Sequence, residues 1–199
     1  MSIFDSIKKA IGSSLKKEAT VMVNNTISNI GKGKNRTESF TFGSIPANVS
    51  ELQAFPEAKL DTAFKTASLV MIALARYETS IDDCFAMLEY LKGPESLSNY
   101  EKSFIKERLT NKTYKVRSYF KGATTANGYV PTQPYTIDVM ENPYSFDNEN
   151  WATLWVKSSG ADNERQIKLR RKPSTGEWFL NEIQCLSDVR PPASEDPWA

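Results

Sequence analysis

The sequence predicts an α+β domain: three or four helices followed by an antiparallel β-meander of four to five strands, with a separate amphipathic helix ahead of them. Up to Lys112 apolar residues recur at three- and four-residue spacing, and beyond it they recur at every second position. The connections between the later apolar runs are short and rich in Pro, Gly, Asn and Asp, as antiparallel hairpins require. The scale fits one domain with appendages: 199 residues, 40% hydrophobic and 25% charged.

Residues 1–33 read as a basic amphipathic helix. Ile3, Phe4, Ile7, Ile11, Leu15, Met22, Val23 and Ile27 form its stripe, and Gly31 and Gly33 end it. Residues 1–36 hold seven of the 25 basic residues and two of the 24 acidic ones, so the remainder is net acidic. Residues 34–47 read as a linker with an extended piece at Phe40-Thr41-Phe42. The domain proper is expected over 48–187. Asn48 caps a short helix through Leu52, and residues 57–78 form the most apolar helix.

Ser80 with Asp83, and Ser98 with Glu101, have the spacing of a capping box and open two further helices. The first of these carries a stripe of Ile81, Phe85, Leu88 and Leu91 and stops at Gly93-Pro94; the second turns Tyr100, Phe104, Ile105 and Leu109 inward. Alternation begins at Tyr114, Val116 and Ser118. Strands are expected at Tyr135–Glu141, Trp151–Ser158, Arg165–Lys172 and Glu177–Leu186. In the last of these, Phe179, Ile183 and Cys185 share one face and Trp178, Leu180 and Leu186 the other. A Pro-rich tail, 188–199, carries Trp198, for which docking back on the sheet is the expectation.

Composition narrows the chemistry. With no histidine, neither a Ser-His-Asp triad nor an HExxH zinc site can be built. Cys84 and Cys185 lie in apolar runs and read as reduced, buried thiols of a cytoplasmic protein. Gly31-Lys32-Gly33-Lys34 lacks P-loop spacing, and the +1 net charge argues against a nucleic-acid binder. The basic run Lys168, Arg170, Arg171 and Lys172 reads as a solvated strand face. No cofactor and no metal are expected, and no apolar run is long enough to cross a membrane.

One stretch concentrates recognition chemistry. Arg117–Phe146 holds four of the eight tyrosines and joins the helical half to the sheet half. Arg117, Tyr119, Tyr129, Tyr135, Tyr144 and Phe146 are the candidate ligand- or partner-binding residues, because Tyr and Arg combine apolar area with a hydrogen-bonding tip. Against this, each aromatic taken singly is as well read as cover for the sheet. Arg117 or Arg170 could pair a carboxylate of a small ligand or peptide.

The runs RSYFKGATTANGYVPTQPYTIDVMENPYSF, LWVKSSGAD, RQIKLRRK, EWFLNE and DVRPPASEDPWA resemble an uncharacterised domain-of-unknown-function family of Gram-positive anaerobic bacteria, over about residues 37–199. The resemblance implies a small cytosolic bacterial domain and carries no functional residue. An Arg/Lys strand, a Gly turn and Trp-Phe-Leu also look like the cone-shaped fold of nuclear transport factor two, although three helices before the first long strand depart from its order.

These readings converge on a non-catalytic binding or assembly module for an unknown protein or small ligand. The alternative is a small cone-fold enzyme using Asp138 with Tyr119 or Tyr135 for acid–base work. Ile3, Phe4, Ile7, Lys8, Lys9 and Ile11 are the candidate association residues: self-association through 2–30 or docking on the chain's own domain ranks first, contact with an anionic membrane surface last.

Overall fold

A computed structural model describes residues 35–198. The candidate association residues Ile3, Phe4, Ile7, Lys8, Lys9 and Ile11, and the helix expected over 1–33, lie outside the described residues.

The sheet has five strands: β1 Thr37–Phe42, β2 Tyr135–Met140, β3 Trp151–Val156, β4 Arg165–Arg171 and β5 Trp178–Ile183. They lie side by side in sequence order, and every neighbouring pair is antiparallel. Five helices stand between β1 and β2: α1 Val49–Gln53, α2 Ala63–Ala75, α3 Ile81–Lys92, α4 Asn99–Leu109 and α5 Tyr114–Arg117. The α+β class and the meander expected from the sequence are both present. The extended piece around Phe40 is more than a linker, since its strand forms one edge of the sheet.

α2 is the core element. Every one of its residues except Lys65 is buried, and it lies against all five strands. Phe40, Phe42, Ile137, Val139, Leu154, Val156, Ile167, Leu169 and Leu180 meet it from the inner sheet face. Each such side chain stabilises the fold by about 1.5–3 kcal/mol. The buried Thr66 hydroxyl donates to the Trp178 carbonyl at 2.8 Å, so α2 is bonded to β5 without an unsatisfied polar atom at that point. The outer sheet face, with Ser39, Thr41, Thr136, Asp138, Thr153, Trp155, Lys168 and Arg170, stays half-buried or exposed.

The helix starts follow their capping residues. Asn48 accepts from the Glu51 amide at 3.1 Å, Ser80 from Asp83 at 3.3 Å, and Ser98 completes a full capping box with Glu101. The helix expected over 57–78 is broken. A 3-10 turn, Pro56–Lys59, ends at Leu60, whose φ of 52° is left-handed, and α2 restarts after Thr62. The Leu60 carbonyl is thereby freed to accept from the Trp178 amide at 2.8 Å.

Further expectations are corrected. Tyr114–Arg117 is a helical turn and not a strand, because the adjacent Lys115 and Val116 are both buried, where a strand would turn one of them outward, and no strand among the described residues lies alongside to pair with. Tyr100 is 79% exposed and Ile81 39%, so neither belongs to a buried stripe. A bulge between Lys168 and Leu169 sets Leu180 opposite Leu169 and Ile183 opposite Ile167, which brings Leu180 and Ile183 to one face of β5. Trp198 does not dock on the sheet; it is 93% exposed.

Candidate functional site

The first half of the Arg117–Phe146 stretch is spent on internal fastening. Arg117 leaves the last turn of α5 and donates to Glu78 at 2.6 Å. Tyr119 is buried, and its hydroxyl donates to the Cys185 carbonyl at 2.6 Å. Burial pushes that phenol up from its ordinary value, so the Tyr119 hydroxyl stays a donor at any physiological pH. Tyr129 sits at φ 58° after the Thr125–Asn127 turn, with no exposed surface. Its ring stacks on Tyr114 at 5.6 Å between centroids, and its hydroxyl donates to the Arg190 carbonyl at 2.8 Å.

Gly160 makes that approach possible. A Cβ there would lie 2.0 Å from the Tyr129 hydroxyl oxygen. The Gly160 carbonyl also accepts from the Arg190 amide at 2.9 Å, so loop, turn and C-terminal segment meet at one point. Tyr135 is half-buried, edge-on to Phe120 at 5.9 Å. Arg117, Tyr119, Tyr129 and Tyr135 are therefore engaged within the domain.

The segment after β2 points outward. In the turn after β2, Tyr144 is 73% exposed and Phe146 44%. Asn142 builds that turn, its side-chain oxygen accepting from the Tyr144 amide at 2.9 Å. Two backbone bonds splice the loop to the sheet: the Thr153 amide to the Ser145 carbonyl at 2.9 Å, and the Arg171 amide to the Asn150 carbonyl at 2.8 Å. Phe146 packs edge-on against Trp178 at 5.9 Å. Trp151, which opens β3, is 38% exposed, and its register partner Arg170 holds a guanidinium 5.1 Å above the indole. This end of the sheet thus carries two aromatic contacts, Phe146 with Trp178 and Trp151 with Arg170, and the exposed Tyr144 on the neighbouring turn.

Trp151 is not one of the six binding candidates that residue type singles out, yet a signal for it exists in the sequence. Counting back from the Gly160–Asn163 turn along an antiparallel hairpin sets Trp151 opposite Lys172, in the same basic run, and the observed register, two residues off, sets it opposite Arg170.

The residues of the acid–base alternative are separated in role. Asp138 and Tyr119 line the same open depression, beside Lys121 and Ser158. The Asp138 carboxylate, however, is held by Lys121 at 2.9 Å and by the Ser39 hydroxyl, and the Tyr119 hydroxyl is turned to Cys185. Cys84 and Cys185 are free and buried, and burial pushes both thiols up to about 12, which keeps them protonated near neutral pH. Among the described residues no group of three or more His, Cys, Asp or Glu is placed to hold a metal ion, and no helix is long and apolar enough to cross a membrane.

A family model described as a domain of unknown function (DUF6935) matches residues 44–193, and the chain belongs to that family. The match covers all five helices and β2 to β5, and starts after β1. No curated protein and no solved structure matches the chain.

Proposed function

We propose that this member of the family is a non-catalytic binding or assembly module, and that its contact surface is the corner formed by Tyr144, Phe146, Trp151 and Arg170. The observation that carries the reading is the exposure of three large aromatic side chains together with a guanidinium already stacked on one of them. Exposed aromatics leave apolar area in water, and their burial against a ligand is the main gain on binding. Arg170 supplies direction: its one carboxylate partner among the described residues, Glu95, stands at 3.9 Å, so the guanidinium can pair an incoming carboxylate. A cytoplasmic setting is supported by the two free, buried cysteines.

The test uses the full chain and indole-3-acetate as an aromatic carboxylate probe, with the tryptophan indole N–H signals followed by NMR. The Trp151 signal is expected to shift with a millimolar Kd, and Arg170→Glu is expected to abolish the shift without moving the melting temperature. Absence of any shift at the corner up to about 10 mM probe, where a binding free energy of only about 3 kcal/mol would register, removes the reading.

A further inference from the structure

Arg170 also borders a second feature, a trough of about 260 Å³ where the end of β4 meets the end of α3. Arg171, Lys172, Phe179, Pro94 and Glu95 line it with Arg170. The Phe179 ring lies directly over Gly93, where a Cβ would come within 2.3 Å of a ring carbon, so the floor is an aromatic face set tightly against the helix end.

The trough is unusual in its charge. Ten of the described ion pairs close at 3.3 Å or less. Here Arg170 reaches Glu95 at 3.9 Å, and Arg171 donates through Nε to the Gly176 carbonyl at 3.4 Å. Neither Arg171 nor Lys172 has a carboxylate partner among the described residues, and both are exposed. Lys92, also in the wall, is already paired with Glu101 at 2.6 Å. The lining is left with more cationic than anionic charge beside an apolar floor.

A segment of opposite character lies elsewhere on the same chain. Glu195, Asp196, Pro197 and Trp198 set two carboxylates beside an indole that is 93% exposed. We propose that the trough receives this acidic, tryptophan-bearing tail from a second copy of the chain, with Arg171 and Lys172 pairing Glu195 and Asp196 and the indole of Trp198 covering Phe179.

Geometry selects a second copy over the chain's own tail. The tail is tied to the start of β4, by the Arg190 amide to Gly160 and by the Arg190 side chain to Asp162 at 2.6 Å. Its 3-10 turn, Ala193–Glu195, lies against the Thr125–Asn127 turn. The trough is at the other end of β4, on the order of 20 Å away for a seven-residue strand. Three residues beyond Glu195 span at most about 10 Å. A tail at one end and a trough at the other make a head-to-tail contact, which closes into a ring or propagates.

This inference goes beyond the aromatic corner and can fail separately from it. The probe is a fluorescein-labelled peptide of residues 188–199, titrated against the full-length Trp198→Ala variant at low salt and read by anisotropy. Binding is expected, and it should weaken at least about tenfold with salt or with Arg171→Glu/Lys172→Glu. A peptide carrying Glu195→Lys and Asp196→Lys should prefer the charge-reversed protein, an outcome that misfolding cannot produce. In sedimentation velocity, the unaltered chain should show concentration-dependent association that Trp198→Ala reduces. The proposal is overturned by no peptide binding up to about 1 mM, by indifference to the charge reversal, or by identical sedimentation of the two chains. Loss of peptide binding in Trp151→Ala alone would place the tail on the corner and overturn the trough as well.

Discussion

The two ends of the Arg117–Phe146 stretch both carry aromatic rings, and those rings have opposite fates. Tyr119 and Tyr129 are buried and spend their hydroxyls on the carbonyls of Cys185 and Arg190. Tyr144 and Phe146 stand in water on a turn held by Asn142 and Ser145. What separates them is the backbone on offer nearby. The first end runs past the C-terminal segment, whose carbonyls lack strand partners, and a tyrosine is long enough to reach them from the core. The second end runs along a sheet corner whose backbone groups are already bonded, so its rings have nothing inside to reach for. A tyrosine-rich segment is therefore as much a fastening device as a recognition surface.

Truncation separates the two ends most sharply. Tyr119→Ala or Tyr129→Ala should destabilise the fold by about 3–5 kcal/mol, as for other large buried aromatics, whereas Tyr144→Ala should stay within about 0.5 kcal/mol. Urea unfolding of the three variants checks this, and equal losses would erase the distinction. Gly160→Ala comes next. Its methyl would collide with the Tyr129 hydroxyl, for an expected loss of about 1–3 kcal/mol; pairing it with Tyr129→Phe should recover part of that loss, since the colliding oxygen is gone.

Removing only the hydroxyls is milder. Tyr119→Phe and Tyr129→Phe each leave a carbonyl of the C-terminal segment without its donor, at about 1–2 kcal/mol by thermal or chemical denaturation. The smallest effect concerns the ion pair beside this junction. Lys115 is buried and pairs at 2.6 Å with Asp188, whose carboxyl the hydrogen bond from Lys115 holds below the usual carboxylate range. A carboxyl depressed in the folded state adds stability above its unfolded value, and that contribution is lost as pH falls through the folded value. Asp188→Asn should therefore be less stable than the parent at neutral pH, with the gap closing below about pH 4. A gap that stays constant down to pH 2 in melting experiments would show that the pair contributes nothing.

The sheet was legible because its signals are local. β2 to β5 show alternation of period two and turn residues between runs, and their boundaries come within three residues of the expectation. Capping at Asn48, Ser80 and Ser98 was legible for the same reason. The failures arise where a distant partner decides. Tyr114, Val116 and Ser118 alternate as in a strand, but α5 exists because Lys115 finds Asp188 far along the chain. Leu60 breaks the long helix because its carbonyl serves Trp178. Among the candidate residues, Tyr144 and Phe146 lie on the exposed corner, while Arg117, Tyr119, Tyr129 and Tyr135 are engaged internally; alternation and residue type alone do not say which carbonyl a tyrosine will find.

The pairing of β1 with β2 has a consequence for how the chain folds. Thr37 stands opposite Met140, so the two strands close a loop holding the whole helical layer. β3 to β5 need only adjacent hairpins, and β2 joins β3 through just two residue pairs, Val139 with Val156 and Met140 with Trp155. Closing so long a loop costs entropy that only an assembled α2 surface can offset. β1 is thus the strand that docks last and, on a fluctuating molecule, the one whose amides should exchange with solvent first.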